Sequence, residues 1–444
     1  MTKQEILLRI SDLTAEQLFD EIKQRKVTLE ELRATNELDA TKRRAISSLL
    51  TQLNEKDDKA WERCRYGNES GIRDYIANYP NGRHLQEAKN EVDRMTRERE
   101  KLQQERTENL RKIKSNELTP DVIQGYLNQG IVDEETLKRE CNIPVEIIKR
   151  IKNYRPISGE NILGEKTKQI PTGFTEVFFW GIPNSGKTCA LSTILNTAHK
   201  RGYMQTGEGG GLKYLHTLKN LYKTDDNIGY LLENTPDKTQ YLPFTLKKEN
   251  EKYARSVSLI ELSGEVFKCF CKKNTGEALD SELEDTFQTL NDFLTDGNRK
   301  IHFFFIDYDP TSIEQDNYTQ SDYLEEASKY FTKNKIFSKS TDAIYVVITK
   351  SDLIDGYGTN DELLADNINQ YIDDNFRAFD NYLNNLCRKE SINAGKYEII
   401  PFSIGDVYCK RICKINRKPA EIILNRLFER IQPQKKSIFD VLNK

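Results

Sequence analysis

The spacing of apolar residues changes near the middle of the chain. Over the first 155 residues, apolar side chains recur every three or four positions among strong helix formers, which predicts helices. From Phe174 onward, apolar runs rich in β-branched and aromatic residues alternate with helix-like segments. This alternation predicts a mostly parallel sheet with crossover helices on both faces. We therefore expect an α/β domain over residues 174–432, preceded by an all-α region.

The helical region contains an internal repeat. The segment that begins at Asp12 aligns without a gap, at an offset of 105, with the segment that begins at Glu117. The same residue occurs in both segments at these pairs of positions: Leu13 and Leu118, Thr14 and Thr119, Val27 and Val132, Leu32 and Leu137, Ile46 and Ile151. Each Thr stands just ahead of an apolar-periodic stretch, where a helix N-cap belongs. We interpret the segments as two copies of a module of about three short helices.

Between the copies, Pro80 and Gly82 divide a helical pair. The surrounding Y-P-N-G-R-H-L-Q-E-A segment resembles tetratricopeptide-like hairpins, and an ordinary helical pair with a Pro-Gly turn is the alternative interpretation. The predicted divisions of the chain are residues 1–52 (first copy), 55–100 (hairpin), 101–155 (charged helix and second copy), 156–173 (linker), 174–432 (α/β domain) and 433–444 (tail).

Composition narrows the function classes only slightly. The net charge of -3 does not indicate nucleic acid as a partner. No apolar run approaches the ~20 residues that a membrane span requires. Scattered cysteines and the absence of a signal-like N-terminus predict a cytoplasmic protein. The closest cysteine spacings, Cys269 with Cys271 and Cys409 with Cys413, do not form the C-x-x-C pairs of a zinc site.

The candidate chemistry begins with a phosphate-binding loop. Residues 181–188 read G-I-P-N-S-G-K-T, which fits G-x-x-x-x-G-K-S/T between a predicted strand and a predicted helix. Its backbone N–H groups and the helix N-terminus would hold phosphate oxygens. Lys187 would reach the β- and γ-phosphates, and the Thr188 hydroxyl would coordinate Mg²⁺. The predicted binding residues of the loop are Gly181, Asn184, Ser185, Gly186, Lys187 and Thr188.

Three later stretches, each at a predicted strand end, bear on the choice of base. Residues 261–264 read E-L-S-G, residues 349–352 read T-K-S-D, and residues 403–405 read S-I-G. The Asp352 carboxylate could accept two hydrogen bonds from guanine, whereas adenine has no amine at the corresponding place. Because a buried carboxylate without partners is costly, a pocket built around Asp352 should reject ATP.

The order of these motifs resembles the Ras-like GTPase superfamily across about residues 174–432. The resemblance implies that Glu261, where the family usually has Asp, holds the Mg²⁺ shell and that the Gly264 N–H meets the γ-phosphate. It also implies that Thr349, Lys350 and Asp352 contact guanine from the N/T-K-x-D motif. Ser403 falls in a loop that contacts guanine O6.

The loop sequence is also similar to that of the TrmE–Era type of GTPases. This similarity implies that Asn184 helps to hold a K⁺ ion that assists hydrolysis, often across a nucleotide-dependent dimer. A switch threonine that closes on Mg²⁺ is expected before the Ser256 strand, and Thr239 fits best, with Thr235 second. Glu265 stands where many relatives have a water-orienting residue. The predicted metal ligands are Thr188, Thr239 and Glu261, and the predicted catalytic residues are Lys187, Thr239, Gly264 and Glu265.

The sequence therefore predicts a GTP-binding and GTP-hydrolysing switch whose N-terminal helical region binds a protein partner. One alternative is a P-loop ATPase with a helical arm, in which Asp307 or Asp309 would serve on the Mg²⁺ side. Another is a non-catalytic scaffold with a GTPase fold, which Glu261 and Glu265 keep open. Residues 266–299 are long for a switch helix, and we interpret them as an insertion.

Overall fold

The structure is a computed structural model that describes residues 1–156, 170–206, 212–221, 227–231, 239–308, 318–337 and 340–431. The chain divides into two compact units, Met1–Arg111 and Lys112–Lys444, which are treated separately below. Most of the predicted linker and all of the predicted tail, residues 433–444, lie outside the described residues. Within the described ranges, no helix has both the length and the apolar character needed to cross a membrane.

The first unit is entirely helical, as the spacing of apolar residues predicts. Its helices are α1 (Lys3–Leu8), α2 (Ala15–Lys23), α3 (Leu29–Ala34), α4 (Ala40–Cys64), α5 (Glu69–Asn78) and α6 (Leu85–Lys114), the last of which extends into the second unit. Thr2, Thr14 and Thr28 cap the first three helices, each in a reciprocal capping box with a Glu or Gln three residues later. Apolar residues of α1–α4, including Ile6, Leu18 and Leu32, form a small core.

A second small core lies between α4, α5 and α6. Trp61, Ile72 and Val92 are buried in it. The sequence pattern also predicts Tyr66 on the apolar side of the hairpin, together with Trp61 and Ile72; this prediction is wrong, because Tyr66 lies in the turn after α4 and is 82% exposed. The turn between α5 and α6 contains Pro80 and Gly82, and whether this pair is tetratricopeptide-like stays a prediction.

The second repeat copy lies in the second unit as α7 (Pro120–Asn128), α8 (Glu134–Arg139) and α9 (Val145–Lys152). These helices begin 105 residues after α2, α3 and α4, which matches the offset of the sequence repeat. Buried apolar residues also recur at this offset: Leu18 with Ile123, Val27 with Val132, Leu32 with Leu137, and Ile46 with Ile151. The predicted domain boundaries stay predictions, but the two segments share their helices and their buried positions.

A seven-stranded sheet forms the centre of the second unit, in the order β2-β4-β5-β1-β6-β7-β8. The strands of the unit are β1 (Thr175–Trp180), β2 (Met204–Thr206), β3 (Ile228–Tyr230), β4 (Gln240–Leu246), β5 (Arg255–Glu261), β6 (Arg299–Asp307), β7 (Thr341–Thr349), β8 (Glu398–Pro401), β9 (Gly405–Tyr408) and β10 (Ile412–Ile415). Strands β5, β1, β6, β7 and β8 pair in parallel, while β2 and β4 pair antiparallel at one edge. The expectation of a mostly parallel sheet is therefore confirmed.

Helices cover both faces of the sheet, as an α/β architecture requires. The helices of the second unit that follow β1 are α10 (Lys187–Lys200), α11 (Leu212–Asn220), α12 (Glu265–Thr275), α13 (Ser281–Thr295), α14 (Gln320–Asn334), α15 (Asp361–Glu390) and α16 (Lys418–Arg430). Apolar residues of α12–α15 form the core on one face, and those of α10, α11 and α16 form the core on the other. Residues 266–299, interpreted above as an insertion, supply α12, α13 and the start of β6.

A smaller antiparallel sheet, β3-β10-β9, contains a β9–β10 hairpin that begins at Gly405, the last residue of the S-I-G stretch. The Asn116 side chain bridges the β9–β10 hairpin: its amide donates to the carbonyl of Val407 at 3.2 Å and accepts from the N–H of Lys410 at 3.0 Å. Glu146 of α9 also lies 3.9 Å from the Lys414 ammonium. The second repeat copy is therefore attached to the hairpin that begins at the end of the predicted base-contacting loop.

Candidate functional site

The predicted phosphate loop lies at a switch point of the large sheet. Its strand, β1, lies between β5 and β6, neither of which neighbours β1 in sequence. The connection that leaves β1 runs through α10 on one face of the sheet, and the connection from β5 to β6 runs through α12 and α13 on the other face, so the two diverge at the carboxyl end of β1. Open α/β sheets bind their ligands in the crevice at such a point. Residues 181–186 occupy this position, and α10 begins at Lys187 directly behind them.

Two glycines of the motifs are required by close packing. Gly186 has a φ of 81°, and a Cβ there would lie 3.2 Å from Cγ2 of Thr349. Gly264 packs against the ring of Pro183, because a Cβ on Gly264 would lie 2.3 Å from Cδ of the proline. The predicted phosphate loop therefore touches both the T-K-S-D strand end and the E-L-S-G strand end, and a larger residue at position 264 would push the E-L-S-G segment away from Pro183.

The side chains that would meet a triphosphate point into this loop region. The Lys187 ammonium donates to the carbonyls of Gly181, at 2.6 Å, and Ile182, at 2.8 Å. The Thr188 hydroxyl donates to the carboxylate of Glu261, and both side chains are buried. A cation bound on this pair would replace the hydrogen bond between them.

The Thr188 and Glu261 pair fits a Mg²⁺ site in its chemistry. Mg²⁺ prefers hard oxygen ligands and usually takes one or two from the protein and the rest from phosphate and water. Across the described ranges, no cluster of three or more His, Cys, Asp or Glu side chains could hold a metal by itself. A site with one hydroxyl and one carboxylate therefore suits a metal that arrives together with a nucleotide.

Thr239 lies beside the E-L-S-G segment. It directly precedes β4, which pairs antiparallel with β5, and its hydroxyl accepts from the N–H of Ser263 at 3.4 Å. Glu265 opens α12, and its carboxylate lies 3.3 Å from the Lys268 ammonium. This cation offsets the negative charge that would otherwise repel a γ-phosphate. Thr235 lies outside the described residues.

The T-K-S-D segment is tied to the phosphate loop. The Thr349 hydroxyl lies 3.0 Å from the carbonyl of Ser185, to which it donates. Lys350 adopts a left-handed backbone conformation, with a φ of 54°, and its ammonium lies 2.7 Å from the buried Asp307 carboxylate. The Thr349 contact fixes the distance between the phosphate loop and the predicted base-contacting turn, and the Asp307 contact fixes where the Lys350 stem lies.

The S-I-G stretch is held next to T-K-S-D through Ser351. The Ser351 hydroxyl donates to the carbonyl of Ile348 at 2.6 Å and accepts from the N–H of Phe402 at 2.9 Å. Ser403, the next residue, is buried, and its hydroxyl accepts from the N–H of Gly405 at 3.1 Å. The side chain of Asp352 is exposed at the start of the following turn. The structure thus brings together the phosphate loop, T-K-S-D and S-I-G, and leaves the Asp352 carboxylate accessible.

Sequence reasoning missed two residues beside Asp352. Burial raises the pKa of Tyr357, and the charge of Asp352 raises it further, so this phenol stays protonated at neutral pH. Its hydroxyl accepts from the side-chain amide of Asn416 at 3.3 Å. Neither Tyr357 nor Asn416 belongs to a motif, and only the fold brings them to this pocket edge.

Asp307 also has a structural setting that its sequence context did not indicate. Its backbone N–H donates to the Gln320 side-chain oxygen at 3.0 Å, and its carbonyl accepts from the Tyr371 hydroxyl at 2.9 Å. The carboxylate points to Lys350, whereas Glu261 contacts Thr188. Asp309, the other candidate of the ATPase interpretation, lies outside the described residues.

The cysteines of the two closest spacings are buried or partly buried. Burial raises the pKa of Cys269 and Cys271 to about 11 and that of Cys409 to about 12. Thiols with such pKa values remain protonated at neutral pH and are poor metal ligands.

Asn184, the predicted K⁺ contact, is exposed and has a left-handed φ of 63°.

No protein-family model matches this sequence, and no curated protein matches it. Among solved structures, the chain is similar to the S. cerevisiae Ski7 GTPase-like domain bound to GTP, with 17% identity and a TM-score of 0.28. The match covers 52% of this chain and 43% of that structure's chain.

Proposed function

We propose that this protein binds GTP and hydrolyses it to GDP and phosphate, and that it acts as a molecular switch. The observation that carries the proposal is the hydrogen bond from Thr349 to the carbonyl of Ser185. It joins a phosphate-loop motif to a guanine-motif turn at the carboxyl edge of one sheet. A triphosphate on residues 181–188 would then extend its base toward Asp352. The GTPase fold and the Ras-like assignment are part of this proposal.

Binding would reorganise the contacts seen in the loop. The Lys187 ammonium would leave the carbonyls of Gly181 and Ile182 for the β- and γ-phosphates, and the helix N-terminus would add partial positive charge. Thr188 and Glu261 would hold Mg²⁺, and Thr239, directly before β4, would become a further ligand of the metal. The metal would neutralise charge that develops on the phosphates. Asp352 would accept from guanine N1–H and the exocyclic amine, while the Lys350 stem covers the base.

Hydrolysis requires a water molecule in line with the γ-phosphate. The Gly264 N–H would position the terminal phosphate, and Glu265 would orient the water from the first turn of α12. The contact of Glu265 with Lys268 supports slow intrinsic hydrolysis, because the carboxylate has to leave a cation before it can act on water. The same contact favours the second candidate, a GTP-binding scaffold that does not hydrolyse.

A base-exchange experiment tests the choice of guanine. GTP, ATP and xanthosine triphosphate would be titrated onto the wild type and Asp352→Asn. We expect the wild type to prefer GTP over ATP. The variant should lose at least about 100-fold in GTP affinity. Its affinity for xanthosine triphosphate should rise, because xanthine has a carbonyl where guanine has an amine.

Asp355→Asn, an exposed carboxylate three residues further along, is the matched control and should bind GTP like the wild type. Equal affinity of the wild type for GTP and ATP would contradict the guanine pocket and favour the ATPase alternative.

Phosphate release separates an enzyme from a scaffold. GTP-dependent release should fall by about 1,000-fold in Lys187→Ala, since this ammonium would stabilise the charge of the transferred phosphoryl group. Lys389→Ala removes an exposed lysine and should leave release unchanged. GTP binding without release in the wild type would support the scaffold.

Potassium dependence is the finer part of the proposal. Asn184 has an exposed side chain on the loop, where a K⁺ ion could reach it from the solvent. Hydrolysis should then be faster in KCl than in NaCl, and Asn184→Ala should remove the difference.

We also propose a cytoplasmic location, which the free thiols favour. A nucleotide-dependent dimer is testable by sedimentation with GTP and with GDP.

The N-terminal helical region is proposed to bind a protein partner, with the nucleotide state controlling the outcome. Two contacts support this coupling: Asn116, directly before the second repeat copy, bridges the hairpin that starts at the S-I-G loop, and Glu146 within the copy lies 3.9 Å from Lys414 of that hairpin. A conformational change in that loop on nucleotide binding would alter the contacts of the second copy. Hydrogen exchange at residues 117–152 should differ between the GTP-bound and GDP-bound protein.

A further inference from the structure

The first unit contains a preformed groove. Its volume is about 600 Å³, and it lies between the end of α2, the middle of α4 and the turn that joins α5 to α6. Pockets of about 300–1,000 Å³ commonly hold ligands or side chains of partners. Partly exposed apolar residues line its floor: Ile22, Leu50, Leu53, Tyr79 and Pro80.

One wall of the groove is rigid. Asp57 of α4 is 3% exposed; its carboxylate accepts from the Tyr75 hydroxyl at 2.5 Å and from the N–H of Arg83 at 2.6 Å. Gly82 passes directly over this carboxylate, since a Cβ there would lie 2.8 Å from Asp57 Oδ1 and 2.7 Å from the Tyr75 hydroxyl oxygen. The turn is therefore clamped to α4, and a ligand would meet a surface that needs little further ordering.

The rim of the groove is basic. The Arg25 guanidinium donates to the carbonyl of Asn81 at 3.1 Å, and the Asn81 amide donates to the carbonyl of Lys23 at 3.3 Å. These bonds hold the end of α2 against the turn, with Lys23 and Arg25 exposed. Within the first unit, which is described throughout, no carboxylate forms an ion pair with either side chain. The Asp57 charge is covered by its two donors, and Asp58 pairs with Arg83 and His84.

The two repeat copies differ at this place. Arg25 has a left-handed φ of 58°, and the corresponding residue of the second copy is Gly130, with a φ of 69°. Glycine adopts this conformation without strain, whereas arginine pays for it. Lys23 corresponds to Asn128, so the second copy has neither charge. The first copy therefore keeps an unfavourable residue at a position where the fold accepts glycine, which points to a role for the charge.

We propose that this groove binds an acidic peptide segment of a partner protein. One aliphatic or aromatic side chain of the segment would lie on Leu50, Leu53 and Tyr79, and flanking carboxylates would meet Lys23 and Arg25. The aliphatic floor favours a peptide over single-stranded nucleic acid, whose bases stack mainly on aromatic rings. This inference deepens the proposed partner-binding role. The peptide-binding assay is performed without nucleotide, so a negative result would not contradict the proposed GTP site.

Fluorescence polarisation of the full-length protein tests the groove. The probe is a fluorescein-labelled peptide with five Glu or Asp residues on each side of a central Leu-Phe pair. This probe should bind with a Kd in the micromolar range. An unlabelled oligothymidylate, added as a competitor, should displace it only poorly. Matched peptides with Ser-Ser at the centre, or with Lys in place of the acidic residues, should bind at least about tenfold more weakly.

Arg25→Gly is the decisive variant, because it installs the residue of the second copy. It should weaken probe binding about tenfold with little change in thermal stability, because relief of the left-handed backbone strain offsets the loss of the hydrogen bond to Asn81. Leu53→Glu should also weaken binding, Arg25→Lys should keep most of it, and Arg97→Gln on α6 should change nothing.

The proposal is overturned if no acidic probe binds below about 1 mM, if the Ser-Ser peptide binds equally, or if Arg25→Gly and Leu53→Glu both leave affinity unchanged. Tighter binding of the oligothymidylate, reduced by the same two variants, would assign the groove to nucleic acid instead.

Discussion

The two edges of the large sheet use polar residues in opposite ways. At the carboxyl edge, Lys187 donates to the carbonyls of its own loop and Thr188 meets Glu261 across two loops. At the amino edge, Glu176 of β1 and Lys300 of β6 are both fully buried. The first edge holds polar groups whose contacts a ligand can replace, and the second holds charges that only the protein satisfies.

The amino-edge cluster is held together by contacts of the Lys300 ammonium. The Lys300 ammonium donates to the carboxylate of Asp296 at 2.5 Å and to the carbonyl of Asn298 at 2.9 Å, and it lies 3.5 Å from Glu176. Burial raises the pKa of Glu176 to about 8, while hydrogen bonds and Lys300 hold the pKa of Asp296 below its usual range. Two carboxyl groups therefore share one cation, and Glu176 carries a proton at neutral pH.

This difference predicts whether a substitution at each edge changes the stability of the fold or the affinity for nucleotide. Removing a group from the amino edge leaves a buried charge without its partner, so the cost falls on folding. Removing a group from the carboxyl edge breaks contacts that the proposed nucleotide would replace, so the cost falls on binding.

The largest expected effect is that of Lys300→Met. The variant leaves the Asp296 carboxylate, 29% exposed, without its cation beside the buried and neutral Glu176 carboxyl, and the free energy of unfolding should fall by about 3 kcal/mol. Denaturant titration measures this loss, and GTP affinity of the protein that remains folded should be unchanged. Lys329→Met removes a lysine of exposed ion pairs on α14 and should cost less than about 1 kcal/mol. Similar losses for the two variants would contradict the distinction between the edges.

The pH dependence of stability should identify Glu176. Its folded pKa, about 8, exceeds the ordinary value of 4.5, so the protonated form contributes stability that is complete below pH 4.5. That contribution is lost as the pH rises toward 8, at roughly 1 kcal/mol per pH unit by linkage. Glu176→Gln keeps the neutral form at every pH and should flatten the curve between pH 5 and 8. An equally steep curve for the variant would assign the slope to other groups.

At the carboxyl edge, Asp307→Asn should weaken GTP binding by about tenfold. The substitution replaces the ion pair with Lys350 by a neutral contact, so the lysine stem is held less firmly where the base would lie. A double-mutant cycle with Lys350→Met measures the coupling. We expect the second substitution to cost little once the first is present, because neighbouring groups of one network are not additive. Additive losses would show that Asp307 acts independently of Lys350.

The sequence predicted the layout of the fold because periodic patterns record burial. Three- and four-residue spacing indicated the N-terminal helices, and the gapless repeat at an offset of 105 is matched by helices that begin at the same offset. Topology was less accessible. The antiparallel β4 beside β5 and the small β3-β10-β9 sheet depend on pairings between segments that no local pattern specifies.

The candidate site shows the same division between residues that a local pattern identifies and residues that only the fold brings together. Motif residues such as Lys187 and Lys350 were named from sequence because glycine-rich and charged turns are local signals, though their roles stay predictions. Tyr357 and Asn416 could not be found in this way, since only the packing of the turn after β7 against the end of β10 brings them together. Asp307 was noticed as a possible metal ligand, but its contact with Lys350 depends on the adjacent ends of β6 and β7.

The smallest expected effect comes from Thr349→Val, which removes the hydroxyl that joins the predicted phosphate loop to the predicted base-contacting turn. The variant keeps the side-chain shape but leaves the carbonyl of Ser185 without its 3.0 Å donor. Loss of one such bond is worth about 1 kcal/mol, so GTP affinity should fall about fivefold, with a similarly small change in unfolding free energy. Thr349→Ser retains the hydroxyl and should bind GTP like the wild type. If both variants weaken binding equally, the methyl group that packs on Gly186 matters more than the hydrogen bond, and the two motifs are joined by packing alone.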